Sequence, residues 1–151
     1  MNVPSSSNSD SARILLIDDN KLGLAARKAV LEELGYVITT AGTPHEGLKR
    51  FAETGFELII TDYKMPRMSG VQLIEKIRRD APHIPIILLS GFADALGLDE
   101  KNTGADVVIQ KSANEVSHMI RGVRKLLRKR KTLKKPPAAQ RTAARGRRKS
   151  G

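Results

Sequence analysis

Five polar residues stand directly after apolar runs, and their types suit one chemistry. Asp18 and Asp19 follow Arg13-Ile-Leu-Leu-Ile, Asp62 follows Glu57–Thr61, Ser90 follows Ile86–Leu89, and Lys111 follows Val107–Gln110. If the runs are neighbouring strands, three carboxylates, a hydroxyl and an ammonium converge on one edge of a sheet. Crowded carboxylates raise each other's pKa unless a cation intervenes. A hard divalent ion with oxygen ligands resolves the conflict. Mg²⁺ suits because it takes one or two carboxylates and keeps positions for water and phosphate oxygens; Mn²⁺ is the alternative. Lys111 adds a second positive charge, and Ser90 a hydrogen-bond donor. A carboxylate in such company is equipped to receive a phosphoryl group, because that transfer needs little beyond positioning and charge stabilisation. The product would be an acyl phosphate.

Each residue also has a plainer reading. A lone Asp at a strand end is more often a helix cap or turn residue, and Asp19 could be only that. Ser90-Gly91 could be a turn, and Lys111 a solvated lysine. Recurrence at four successive run ends favours the joint reading, with Asp62 as the acceptor.

The elements that must position these residues follow from periodicity. Each strand is a continuous apolar run rather than an in/out alternation, so both sheet faces should be covered. Tyr36–Ala41 completes a set of five. Between them, Leu22, Ala25, Ala26, Ala29, Val30 and Leu34 mark a helix ending at Gly35. Thr43-Pro-His-Glu46 reads as a capping box with Pro44 at the first helical position. The helix it opens ends near Gly55. Val71, Leu73, Ile74 and Ile77 mark a third helix, and Phe92–Lys101 a weaker fourth. Ser112-Ala-Asn-Glu115 reads as a second capping box. It opens a helix with Val116, Met119, Ile120, Val123 and Leu127 on one face. Alternating strands and helices with right-handed crossovers give a doubly wound parallel α/β sandwich. In such sheets ligands bind beyond the carboxyl ends of the strands, where strand order reverses.

Composition excludes other classes. The absence of cysteine removes disulfides, Cys-ligated zinc and thiol catalysis. The apolar runs are too short to span a bilayer, and the start lacks a signal-peptide pattern, so a cytoplasmic chain is expected. The net charge is +11, but residues 121–151 hold 14 Lys/Arg and no acid, leaving 13 basic against 16 acidic residues in 1–120. The body is mildly acidic, and all excess charge sits in the tail. Residues 1–12 read as a disordered leader, 13–130 as the domain, and 131–151 as a disordered basic tail. The tail's charge suits nucleic acid, an acidic partner or an anionic membrane surface. A solvated tail without a specific partner is an equal reading. His45, His83 and His118 share no ligand spacing and are read as surface residues.

Taken together, Ile14-Leu-Leu-Ile-Asp18-Asp19-Asn20, Asp62-Tyr-Lys-Met65-Pro66 with Ser69-Gly70, Ile-Ile-Leu-Leu-Ser90-Gly91, and Gly104-Ala105-Asp106 leading to Lys111 resemble the bacterial response-regulator receiver domain. The resemblance runs in register over about residues 12–130. It implies a flavodoxin-like sheet in the order 2-1-3-4-5 with five helices. It implies Mg²⁺ held by Asp19, Asp62 and the backbone carbonyl of Lys64, with Asp18 helping through water. It further implies phosphotransfer to Asp62 from a histidine kinase or histidine phosphotransfer protein, with Lys111 and Ser90 binding the phosphoryl group. The chain reads as a stand-alone switch or relay acting on an unidentified downstream protein, and its oligomeric state is open.

Two positions depart from that pattern. Val108 stands where the family usually has an aromatic ring, so the usual readout through an inward-turning ring is missing. Ser112 stands where a proline after a cis bond is usual; a cis bond before a non-proline costs roughly 2.5–4 kcal/mol. The loop after Lys111 is therefore expected to be rearranged. Rival readings fit less well. A haloacid-dehalogenase type of enzyme would place an acid two residues after its nucleophile, and that place is Lys64. A flavodoxin-like cofactor binder would need a phosphate loop where Asp18-Asp19-Asn20 stand. A third rival makes the basic tail the active, nucleic-acid-binding part, with the body controlling it.

Overall fold

The computed structural model describes residues 11–134. The expected leader, apart from Ser11 and Ala12, and the tail beyond Lys134 lie outside the described residues. Strands β1 (Arg13–Ile17), β2 (Val37–Ala41), β3 (Leu58–Asp62), β4 (Ile86–Ser90) and β5 (Val107–Gln110) form one parallel sheet in the order β2-β1-β3-β4-β5. Six helical segments connect and flank them: α1 (Lys21–Glu33), α2 (Pro44–Glu53), α3 (Gly70–Asp80), α4 (Ala93–Leu96), α5 (Glu100–Thr103) and α6 (Glu115–Lys134). The register pairs Ile17 with both Ala41 and Thr61, Asp62 with Leu89, and Ser90 with Gln110. The carboxyl ends of the strands therefore finish level. Strand order reverses between β1 and β3, which puts the ends of those two strands at the crevice.

Alternate residues of each strand feed two cores. Ile14, Leu16, Leu58, Ile60, Ile87 and Leu89 pack with Leu31 of α1 and Met119, Val123 and Leu126 of α6. Leu15, Ile17, Ile59, Ile86 and Leu88 pack on the other face with Leu73, Ile74 and Ile77 of α3, and with Leu48 and Phe51 of α2. Burying one such side chain contributes roughly 1.5–3 kcal/mol, so the continuous apolar runs are explained by a sheet covered on both sides.

Local signals fix the helix starts. Asn20 caps α1 by accepting from the Gly23 N–H at 3.0 Å. Thr43 caps α2 through the Glu46 N–H, but Glu46 reaches past it to the Gly42 N–H at 2.9 Å, so the expected box closes one residue earlier. Ser69 and Gln72 form a reciprocal box at the start of α3.

Three expectations are corrected. The inward face of α1 carries Leu24, Arg27, Leu31 and Leu34, while Leu22 is 84 % exposed and Ala25, Ala26 and Ala29 face solvent. The fourth helix is interrupted: Gly97, at φ +66°, ends α4 in a left-handed cap, and Asp99 opens α5 with its own box to Asn102. The Ser112–Glu115 capping box does not form. Glu115 is the first residue of α6, its backbone N–H donates to the Ser112 carbonyl, and its carboxylate turns elsewhere. The last helix, α6, runs to Lys134. No peptide bond among the described residues is cis, so the Lys111–Ser112 bond is trans.

Candidate functional site

The cleft at the carboxyl edge has a volume of about 600 Å³ and is lined by Asp18, Asp19, Asp62, Lys64, Phe92 and Lys111, among others. Asp62 is the last residue of β3. The Tyr63 N–H donates to the Leu89 carbonyl at 2.8 Å, and the Gly70 N–H to the Tyr63 carbonyl at 2.7 Å, which anchor the chain on both sides of the loop after it. A Cβ at Gly70 would collide with the Asp62 carbonyl oxygen and crowd Leu88, so glycine lets α3 start hard against the strand end.

Asp62 is 5 % exposed, and its Oδ1 is paired with the Lys111 ammonium. No other hydrogen-bond donor reaches that oxygen among the described residues. Burial pushes the Asp62 carboxyl above the ordinary carboxylate range, and Asp18 adds to the rise; Lys111 and Arg27 pull in the opposite direction. Lys111 is held at the end of β5 by its N–H bond to the Ser90 carbonyl at 2.8 Å.

Asp18 is buried behind Asp62. Its N–H donates to the Ala41 carbonyl at 3.1 Å, its Oδ1 accepts from the Asn20 N–H at 3.0 Å, and its Oδ2 takes the Arg27 guanidinium at 2.5 Å. Asp19 is exposed at the rim. The plainer reading of Asp19 as the α1 cap does not hold, because Asn20 occupies that role. One carboxylate oxygen from each of Asp18, Asp19 and Asp62 lies within 4.8 Å of the others. Three convergent carboxylates fit a hard divalent cation with oxygen ligands.

Ser90 ends β4 and is buried. Its hydroxyl oxygen accepts from the Phe92 N–H at 2.9 Å, and the neighbouring Gly91 and Phe92 line the cleft. Lys64 and Phe92 meet at the mouth, with the ammonium 5.4 Å from the ring centroid. Met65 packs into the core beneath the loop. Val108 is half-buried against the core on the α3 face of the sheet and lines a groove with Ala93, Leu98, His118 and Arg121. His45, His83 and His118 are all on the surface.

Sequence reasoning missed Arg27 and Glu115. Arg27 is 7 % exposed, and besides Asp18 it binds Glu115 Oε2 through Nε at 3.0 Å and Nη2 at 2.7 Å. Burial works against its charge, but Glu115 and Asp18 outweigh that and raise its pKa above the ordinary value. A signal was present: Leu24, Arg27, Leu31 and Leu34 share one helical face, and a cation inside such a stripe calls for a buried anion.

Comparison with known proteins agrees with this geometry. Residues 14–130 match the family model of the response regulator receiver domain. A response-regulator receiver domain protein from Clostridium thermocellum is 31% identical, with a TM-score of 0.73 over 81% of this chain and 98% of that one. The response regulator TrrA of Thermotoga maritima, solved with Mg²⁺ and BeF, is 34% identical, with a TM-score of 0.69 over 76% of this chain and 98% of TrrA. TrrA is also solved in complex with the histidine kinase ThkA. A probable transcriptional regulator, ycf27, of Cyanidium caldarium is 32% identical over 107 residues, which is 71% of this chain and 41% of the relative. The chain spans less than half the length of the curated relatives it matches. With its sheet order, its acidic crevice and a family match across most of its length, this chain belongs to the response-regulator receiver domains of two-component signalling.

Proposed function

We propose that the chain takes a phosphoryl group on Asp62 from a histidine kinase or histidine phosphotransfer protein in the cytoplasm, and passes the signal on by contact with another protein. The observation that carries this is the pairing of buried Asp62 with Lys111 beside two further carboxylates. An Asp62 carboxylate oxygen attacks phosphorus. The new P–O bond forms as the donor's P–N bond breaks, and the imidazole leaves with a proton. Lys111 neutralises charge on the incoming oxygens, and its donors are already aimed at Asp62. The Ser90 hydroxyl can turn from its bond to the Phe92 N–H and donate to a phosphoryl oxygen. Asp19 and Asp62, with the backbone carbonyl of Lys64 and with Asp18 behind, would hold Mg²⁺ or Mn²⁺. Such an ion would neutralise phosphoryl oxygens and orient them for in-line attack.

The test uses acetyl phosphate with Mg²⁺. One phosphoryl group should appear by intact mass, and Asp62→Asn should abolish it. Equal labelling of the Asn variant would overturn the reading.

A second observation bears on lifetime. Phe92 and Lys64 close over the mouth of the cleft, and neither is an amide or acid suited to orienting water. Lys64 offers N–H donors and no acceptor, so it is not suited to take a proton from water. Slow self-dephosphorylation follows, as a relay or a sustained signal requires.

A further inference from the structure

Asp18 is not simply one of three acids around the cleft; both of its oxygens are already engaged, and one of them is engaged by a buried cation that reaches a distant helix. Its Oδ1 is bound by the Asn20 N–H, and its Oδ2 by Arg27 Nη1 at 2.5 Å. The same guanidinium donates Nε and Nη2 to Glu115, the first residue of α6 and 88 positions away in the chain. Gly23 leaves room for this contact, since a Cβ there would lie 3.1 Å from Arg27 Nη1. Glu115 opens α6, and its carboxylate reaches across to Arg27 of α1.

We propose that Arg27 is a positioning residue: it fixes Asp18 for the acidic cluster and ties that carboxylate to the first turn of α6, so that filling the cluster is felt at α6. The proposal rests on the cluster being a metal site. Four carboxylates (Asp18, Asp19, Asp62 and Glu115) face two buried or half-buried cations (Arg27 and Lys111). The surplus of two negative charges equals one divalent cation. A cation drawn to the cluster takes charge from the same carboxylate that Arg27 binds, and so competes with the guanidinium for Asp18. As the hold on Asp18 weakens, the guanidinium is left on Glu115 alone, and the seating of α6 changes. Coupling of this kind is reciprocal, so the tie to Glu115 must also influence how tightly the cluster binds its ion.

The experiment is a Mg²⁺ titration followed by backbone amide shifts in wild type, Glu115→Gln and Arg27→Lys. In wild type, the amides of Asp19 and Tyr63 should move, and those of Val116 to Met119 should move with the same midpoint. Glu115→Gln should keep the site shifts and lose most of the α6 shifts. Its Mg²⁺ binding should weaken roughly fivefold, the low end of typical coupling between two sites, because Arg27 then bears on Asp18 alone. Arg27→Lys keeps the charge but cannot span two carboxylates as a planar fork does, so it should not restore the α6 response. Glu115→Gln serves where the buried Lys variant fails to fold. Wild-type site shifts without α6 shifts, or α6 shifts of full size in the variants, would overturn the coupling alone. No shift at Asp19 and Tyr63 in wild type would overturn the metal site and the coupling together.

Discussion

Two arginines crosslink the two ends of the sheet, and they do different work. At the amino-terminal edge, Arg78 of α3 donates to the carbonyls of Pro82, Ile84 and Gly104 and to Asp106, whose Oδ2 also takes the Ile86 N–H at 2.8 Å. Most of its partners are neutral carbonyls of the loops around β4 and β5. That network satisfies backbone groups and sets the spacing of the strands. At the carboxyl edge, Arg27 binds only carboxylates among the described residues, and one of them belongs to the acidic cluster. Arg78 can be understood from backbone hydrogen bonding alone. Arg27 makes sense only with the charge of the site.

The largest effect expected to separate the two ends is on the metal. Asp19→Ala should lower Mg²⁺ affinity and acetyl-phosphate labelling together, by about tenfold or more, the range seen for groups that support a metal site. Asp106→Ala should leave both unchanged. Labelling that survives in EDTA would contradict the first half.

Stability should sort the other way. Arg78→Ala leaves several carbonyls and Asp106 without a donor. It should cost about 2–3 kcal/mol, as loss of a charged hydrogen-bond network does. Urea unfolding measures this, with Mg²⁺ affinity of the folded variant as the control. A midpoint equal to wild type would remove Arg78 as a staple.

A smaller effect concerns the lid of the carboxyl edge. Phe92 is 49 % exposed and stacks with Lys64. Phe92→Ala should speed loss of the phosphoryl group from the labelled protein several-fold. Decay at the wild-type rate would mean that the ring does not screen Asp62 from water.

The smallest effect is the pH dependence of Asp62 itself. Burial raises its carboxyl above the ordinary range. A raised folded value favours the protonated form. The stability it contributes is therefore fully present below the unfolded carboxylate pKa of about 3.9 and is lost as pH rises through the folded value. In EDTA at neutral pH, Asp62→Asn should be more stable to urea than wild type. The gap should close as the pH falls through the carboxylate range. A neutral-pH midpoint below that of wild type would show that the Lys111 pairing outweighs burial.

Much of this molecule is legible in its sequence, for identifiable reasons. Continuous apolar runs such as Ile14–Ile17 and Ile86–Leu89 are legible because a strand covered on both faces needs apolar residues at every position. The acids, the hydroxyl and the lysine are legible because each follows such a run. Ser69-Gly70 and Thr43-Pro44 announce helix starts through local bonding that no distant contact has to supply. The orientation of α1 was not legible, since small alanines at 25, 26 and 29 mimic an apolar face while Arg27 interrupts the true one. The break at Gly97 within the weak fourth helix was equally hidden. There, one residue with φ +66° and a new cap at Asp99 redirect the chain.

What the sequence determined by itself is the alternation of elements and the kinds of side chain at the strand ends, because both depend on residues close together in the chain. Which oxygens those side chains have to spare was decided by tertiary structure alone. Glu115 could have stayed a solvated acid at a helix start, and Asp18 could have stood free. Packing α1 and α6 on the same sheet face buries Arg27 between them, and a buried guanidinium must collect the nearest carboxylates, however far apart the chain carries them.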